Sequence, residues 1–196
     1  MFGLTNKQVL NIDAYIDEIK QYNKHTNIVG KSTLANPWTR HVLDSLQVSN
    51  FINNKKGSII DLGTGAGIPG IILCLKNYPN ITLIDSNNKK IKFIKLVISK
   101  LKIKPQILLK RIEDIDSIKY DFIISRALAN LNKLFFYSKN LIKKNTTLIF
   151  LKGRGVDCEI NNAKLNWNFD YVKHKSISDS EARIIVVRHL KNKNGK

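Results

Sequence analysis

Ile59-Ile60-Asp61-Leu62-Gly63-Thr64-Gly65-Ala66-Gly67-Ile68-Pro69-Gly70 reads as a buried strand that turns on glycines and enters a helix. Glycine at such a turn permits positive φ and lets the backbone approach a ligand closely, while Gly70 can instead let the helix pack against the sheet. A glycine-rich turn alone is no more than a tight turn. Strand, acid, three alternating glycines and helix in this order predict a cofactor loop. Its spacing is G-x-G-x-G, whereas a dinucleotide loop runs G-x-G-x-x-G and brings pyrophosphate to the helix N-terminus. Asp61 would repel a diphosphate and would suit the ammonium of S-adenosylmethionine, a donor without phosphate. Gly63, Thr64, Gly65 and Gly67 are therefore the expected cofactor contacts in the loop.

The neighbouring segments extend the pattern. Ile81–Asp85 reads as the next strand, and its terminal Asp85, 22 residues after Gly63, can accept both ribose hydroxyls. Asn87 caps a helix with the apolar stripe Ile91, Ile94, Ile98 and Leu101. Gln106–Leu109, Phe122–Ser125 and Thr146–Leu151 are further strands, with Leu131–Ile142 helical before the last. A short helix near Cys158–Leu165 precedes two runs, Phe169–Lys173 and Arg183–Leu190, read as an antiparallel pair at the sheet edge. This alternation predicts an α/β fold, with a mostly parallel Rossmann-like sheet and helices on both faces. After the third strand, Ile112 can pack on an adenine while Glu113 meets its amino group, or the two belong to a solvated loop. Arg126, at the end of the fourth strand, faces the crevice where such sheets bind ligands, or pairs with an acid structurally.

Upstream, Thr5 and Gln8 form a capping box before a helix with Val9, Ile12, Ile16 and Ile19 on one face. A polar break spans Asn23 to Lys31, and Pro37 opens a second helix burying Trp38, Val42, Leu46 and Val48. His41 and Asp44 share a face of that helix, as a lid over the pocket or as a packed pair. The 196 residues suit one domain: a helical extension (1–55), a cofactor-binding core (56–190) and a basic tail (191–196).

Composition narrows the class. With 43% hydrophobic and 24% charged residues the chain is globular, and its apolar runs are too short for a membrane span. Met1 to Lys20 carries Asp13, Asp17 and Glu18 and does not read as a secretory signal. Two cysteines, Cys74 and Cys158, make no disulfide scaffold or zinc motif, so no metal is expected. Lys and Arg number 33 against 15 Asp and Glu, a net charge of +18. Only 6 of the basic residues are Arg, and Ile and Asn are abundant, as A/T-rich coding alone would produce. Either way, such a body attracts polyphosphate, and that attraction weakens with salt.

Asn23-Lys24 with Asn27, then His41-Val42-Leu43-Asp44-Ser45-Leu46, Asp61 to Gly70, Ser125-Arg126-Ala127 and Lys152-Gly153 together resemble the RsmG family, also called glucose-inhibited division protein B. The match runs from about Ile12 to Leu190. G-x-G-x-G alone would indicate only a class I methyltransferase; Gly-x-Gly-x-Gly-x-Pro-Gly and His-x-x-Asp-Ser-Leu are the specific elements. The resemblance implies a bacterial cytoplasmic enzyme that uses S-adenosylmethionine, leaving S-adenosylhomocysteine, to methylate guanine N7 in 16S ribosomal RNA of the small subunit. It places cofactor contacts on Gly63, Ile68, Ile112, Glu113 and Arg126. Tyr22 stands where the family often has Trp, Ile28-Val29 where Leu-Thr is common, and Leu128 where an aromatic is frequent.

The chemistry agrees with that expectation. Guanine N7 has a lone pair and no proton, so its methylation needs alignment and a suitable field, with Arg126 positioning, and no general base. No Asn/Asp-Pro-Pro-aromatic motif for an exocyclic amine follows the fourth strand, and neither cysteine is placed as a nucleophile. Arg126, Lys152 and Arg154 could meet guanine O6 or phosphate, with His41 and Asp44 also on the substrate side. A monomer is expected. A class I methyltransferase acting on another RNA position or a small molecule, and a non-catalytic RNA-binding module, are the competing readings.

Overall fold

The computed structural model describes residues 2–115 and 118–193. Among the described residues seven strands form one sheet in the order β3-β2-β1-β4-β5-β7-β6. They are β1 (Ile59–Leu62), β2 (Ile81–Asp85), β3 (Gln106–Leu109), β4 (Tyr120–Arg126), β5 (Ile142–Lys152), β6 (Trp167–Lys175) and β7 (Arg183–Asn192). The first five pair in parallel, and β7 runs antiparallel to both β5 and β6. The strand order reverses between β1 and β4, so a crevice opens beyond their carboxyl ends, where doubly wound sheets take ligands. The expected antiparallel pair is present, with β7 inside it and β6 at the edge.

Period-two alternation divides the core. Ile59 of β1 packs with α1 (Asn6–Asn23), α3 (Gly70–Leu75) and α4 (Asn88–Leu101) on one face. Ile60 and Leu62 pack with α5 (Leu131–Ser138) and α6 (Val156–Asn166) on the other. Asp61 therefore points with Ile59 toward the α1 face. The Thr5 box is formed: Gln8 N–H donates to Thr5 Oγ1 at 3.3 Å, and Thr5 N–H donates to Gln8 Oε1 at 2.9 Å. Asn87 caps α4 as expected.

Three elements depart from expectation. The helix after the glycine turn, expected over Ile68–Lys76, begins at Gly70, because the turn, with Gly67 at a φ of +96°, still runs through Ile68 and Pro69. The helix read as Leu131–Ile142 ends at Ser138, since Ile142 already pairs with Tyr120 and opens a longer β5. The segment after Pro37 is a π-helical run, Trp38–Leu43, leading into α2 (Asp44–Val48). Val42, Leu46 and Val48 are buried there as expected, and Trp38 Nε1–H donates to Asp13 at 2.7 Å. Of the segment read as a basic tail, Lys191 and Asn192 belong to β7, and residues 194–196 lie outside the described residues. Among the described residues no helix is long and apolar enough to cross a membrane.

Candidate active site

The turn after β1 is braced from below. Asp61 is fully buried, and its Oδ2 accepts from Thr64 Oγ1–H at 2.6 Å and Gly70 N–H at 3.0 Å. Burial outweighs these bonds and a nearby Arg126, and lifts the carboxyl to about 7. A Cβ on Gly70 would lie 2.3 Å from Leu83 Cδ2 of β2, so the absence of a side chain seats α3 on the sheet. Tyr15 of α1 donates from its hydroxyl to Ala66 C=O at 2.7 Å, fixing the turn from the helical side.

Five amides of this turn are already engaged. Thr64 N–H donates to Ile84 C=O, Gly65 N–H to Asp85 Oδ2, Gly67 and Ile68 N–H to Thr64 C=O, and Gly70 N–H to Asp61. A pyrophosphate cradle needs such donors free, so this is not one. Asp61 was expected to face the ligand. Instead it lies beneath the turn and lines none of the cavities along the crevice, because β1 alternation turns it toward α3.

Three cavities adjoin along the strand ends. The first, of about 410 Å³, is lined by Gly63, Asp85, Ile112, Glu113 and Leu128. Asp85 Oδ2 and Oδ1 accept from Gly65 and Asn87 N–H at 3.0 and 2.8 Å. A carboxylate offers about four lone-pair sites, so ribose hydroxyls can still be accepted. The middle cavity, of about 260 Å³, holds Gly63, Thr64, Gly65, Ile68, His41 and Arg126. A Cβ on Gly65 would meet nothing nearer than Gly63 O at 3.9 Å, so the turn leaves open space there. The third, of about 240 Å³, is lined by Arg40, Asp44, Arg126, Lys152 and Arg183.

Arg126 joins the last two cavities. One of its nitrogens, Nη2, donates to Arg40 C=O at 2.7 Å and lies 3.8 Å from Asp44 Oδ2. Burial presses its guanidinium down from its ordinary range, and Asp44 opposes that. Asp44 Oδ1 accepts from the hydroxyls of Ser176, at 2.9 Å, and Ser178. Arg40 reaches Asp179 at 2.7 Å. The α2 segment and the β6–β7 connection thus close over the crevice together. His41 is 4% exposed, and burial followed by Arg126 and Arg40 brings its imidazole down to about 4, so it is neutral.

Not every expected contact is in place. Gly67 lines none of the three cavities; its φ of +96° and the 2.3 Å approach of a Cβ to Ile71 mark it as a turn and packing residue. His41 and Asp44 line adjacent cavities rather than one, with Arg126 between them. Lys152 is tied to Glu159 at 2.6 Å and Ala129 C=O at 2.7 Å. Arg154 is 83% exposed, pairs with Glu181 at 3.2 Å and lines none of the three cavities. Cys74 is pushed up to about 12 by burial, far from a thiolate nucleophile. Among the described residues no three His, Cys, Asp or Glu side chains are grouped to hold a metal. Tyr15, Arg40 and Arg183 escaped sequence reading. Tyr15 could have been suspected as a polar-tipped residue beside the α1 stripe, whereas no local pattern marks the two arginines.

The sheet order and the strand–glycine turn–helix unit at its switch point define the fold of class I S-adenosylmethionine-dependent methyltransferases. Solved structures agree on the fold. A SAM-dependent methyltransferase from Aquifex aeolicus superposes with a TM-score of 0.60 at 16% identity, covering 80% of this chain and 94% of that one. The glycopeptide N-methyltransferase MtfA complexed with S-adenosylhomocysteine gives a TM-score of 0.61 at 6% identity, covering 75% and 89%. The family model described as GidB, rRNA small subunit methyltransferase G, matches residues 8–190, and the chain belongs to that family. It is 36% identical over 179 residues to "Ribosomal RNA small subunit methyltransferase G" of Rickettsia prowazekii (strain Madrid E), covering 91% of this chain and 93% of that protein. With the protein of the same name from Rickettsia rickettsii (strain Iowa) it shares 37% over 190 residues, covering 97% and 98%.

Proposed function

We propose that the protein transfers a methyl group from S-adenosylmethionine to N7 of a guanine in small-subunit ribosomal RNA. The observation that carries the reading is the glycine turn, five of whose amides are bonded within the protein, with Asp85 at the end of β2. That arrangement favours a nucleoside donor without phosphate. Asp85 would hold the ribose, Ile112 and Glu113 the adenine, and Gly63 to Gly65 the chain that leads to sulfur. Bound there, S-adenosylmethionine supplies an electrophilic methyl on a sulfonium.

The chain's task is alignment. N7 brings its own lone pair, so no side chain has to remove a proton. The third cavity adjoins the donor site through Arg126 and Ala127, and its arginines suit a guanine O6 and neighbouring phosphates. The chain acts as a single-domain monomer in the cytoplasm, on 16S RNA, free or in the small-subunit particle. The test is labelled-methyl transfer to small-subunit RNA lacking the modification, followed by borohydride and aniline cleavage. Expected is label with one new scission; label without scission would move the target away from N7, and RNA binding without donor affinity would remove the catalytic reading.

A further inference from the structure

Three of the polar atoms buried without a hydrogen-bond partner belong to two side chains of the middle cavity: His41 Nδ1 and Nε2, and Arg126 Nη1. Leaving such atoms unmatched costs stability, so their persistence at a cavity wall points to a ligand. The chemistry of the pair is specific. Arg126 can only donate, and its other terminal nitrogen is held by Arg40 C=O. A neutral imidazole carries one N–H and one lone pair. A donor fixed for an anion beside an acceptor for a cation matches an α-amino acid, whose carboxylate and ammonium share one carbon.

Among the described residues no carboxylate lines this cavity. Asp61, which the sequence offers for an ammonium, sits under the turn with Oδ2 taken by Thr64 and Gly70. Lys90, which lines both the first and the middle cavity, lies 3.8 Å from Asp85. The remaining side-chain acceptors are neutral hydroxyls, Thr33 donating to Gly30 C=O and Thr64 to Asp61, and an imidazole nitrogen is a stronger base than either.

We propose that His41 joins Arg126, already expected to contact the donor, at the amino-acid end of S-adenosylmethionine, His41 accepting from its ammonium and Arg126 donating to its carboxylate. This assignment rests on the methyltransferase reading, and it moves His41 from the substrate side to the donor side. Its imidazole, brought down to about 4, keeps the accepting lone pair across the neutral range.

Truncating the ligand isolates the contact. Calorimetry on the full chain would compare S-adenosylhomocysteine with 5′-methylthioadenosine, which lacks the amino-acid end. His41→Ala should weaken S-adenosylhomocysteine about tenfold or more, as for a lost hydrogen bond to a charged group. It should leave methylthioadenosine within about twofold, and His41→Asn, which retains an acceptor oxygen, should recover part of the loss. Equal loss for both ligands would make His41 a packing residue and overturn the proposal. So would unchanged S-adenosylhomocysteine affinity with weaker RNA binding. Should the variants not fold, ring ¹⁵N shifts of wild-type His41 decide: a shift with S-adenosylhomocysteine but not with methylthioadenosine supports the contact, and identical spectra refute it. If the wild type binds neither nucleoside, the donor reading itself fails, a result distinct from failure of His41.

Discussion

The glycine turn and the cover over the crevice are stabilised in opposite ways. In the turn the bonds are short-range and converge on two carboxylates, Asp61 and Asp85, from residues at most 20 positions away. In the cover, Arg126 reaches Arg40 across 86 residues, and Asp44 and Arg40 reach the β6–β7 connection across 132 and 139. The turn engages five of its amides within the protein and presents space, with one buried orphan, Asp61 Oδ1, beneath it. The cover leaves nitrogens of His41 and Arg126 unmatched. The turn's orphan lines none of the three crevice cavities, whereas the cover's unmatched nitrogens belong to side chains that line one and are met when something fills it.

The strongest test of the self-contained turn is pH. Asp61 goes from an ordinary 3.8 up to about 7 because burial disfavours its anion. The folded state therefore holds a proton that the unfolded state has released, and stability falls as pH rises from about 4 to about 7. At about 1.4 kcal/mol for each pH unit between those values, the loss is on the order of 4 kcal/mol. Urea unfolding across that window should show the wild type losing stability relative to Asp61→Asn, which does not titrate. Parallel curves would mean that the carboxylate is hydrated or paired in a way the turn does not display.

The cover should be more sensitive to a single acid than its exposure suggests. Asp44 accepts from Ser176 and Ser178 and faces Arg126. Asp44→Ala should cost about 1–3 kcal/mol and speed proteolysis within the β6–β7 connection. A stability loss without faster cleavage would show that Arg40 and Asp179 hold the connection by themselves. Between the two regions stands Tyr15, whose hydroxyl meets Ala66 C=O across 51 residues. Tyr15→Phe should cost about 1 kcal/mol and weaken donor affinity. If donor affinity alone stays constant, α1 supports the fold without positioning the turn.

The same contrast explains what could be read from residues alone. A turn built from neighbours writes itself into local spacing, so Asp61, the glycines, Asp85 and the helix cap Asn87 were all legible. The direction in which Asp61 points was not, because it depends on which face of β1 receives α3. The cover was half legible: His41 and Asp44 stood out as polar residues in an apolar helix, but their partners Ser176, Ser178 and Arg126 lie on distant elements. A π-helical run cannot be told from an α-helix by apolar spacing, so the separation of His41 and Asp44 into two cavities was hidden.

Lys152 and Arg154 flank Gly153 and read alike in sequence as basic residues near the crevice, yet they divide along the same line. Lys152 is 8% exposed and engaged by Glu159 and Ala129 C=O, a structural cation at the end of β5. Arg154 extends into solvent, 83% exposed, and meets a Glu181 that is itself 53% exposed. A pair so hydrated has little to lose, since the Coulomb gain is screened and holding two long side chains costs entropy. Arg154→Ala should therefore change unfolding free energy by less than about 0.5 kcal/mol. If methyl transfer falls nonetheless, and falls less steeply with added salt than in wild type, Arg154 meets an RNA phosphate outside the crevice. A large stability loss would instead tie it into the cover, and the contrast between the two neighbours would disappear.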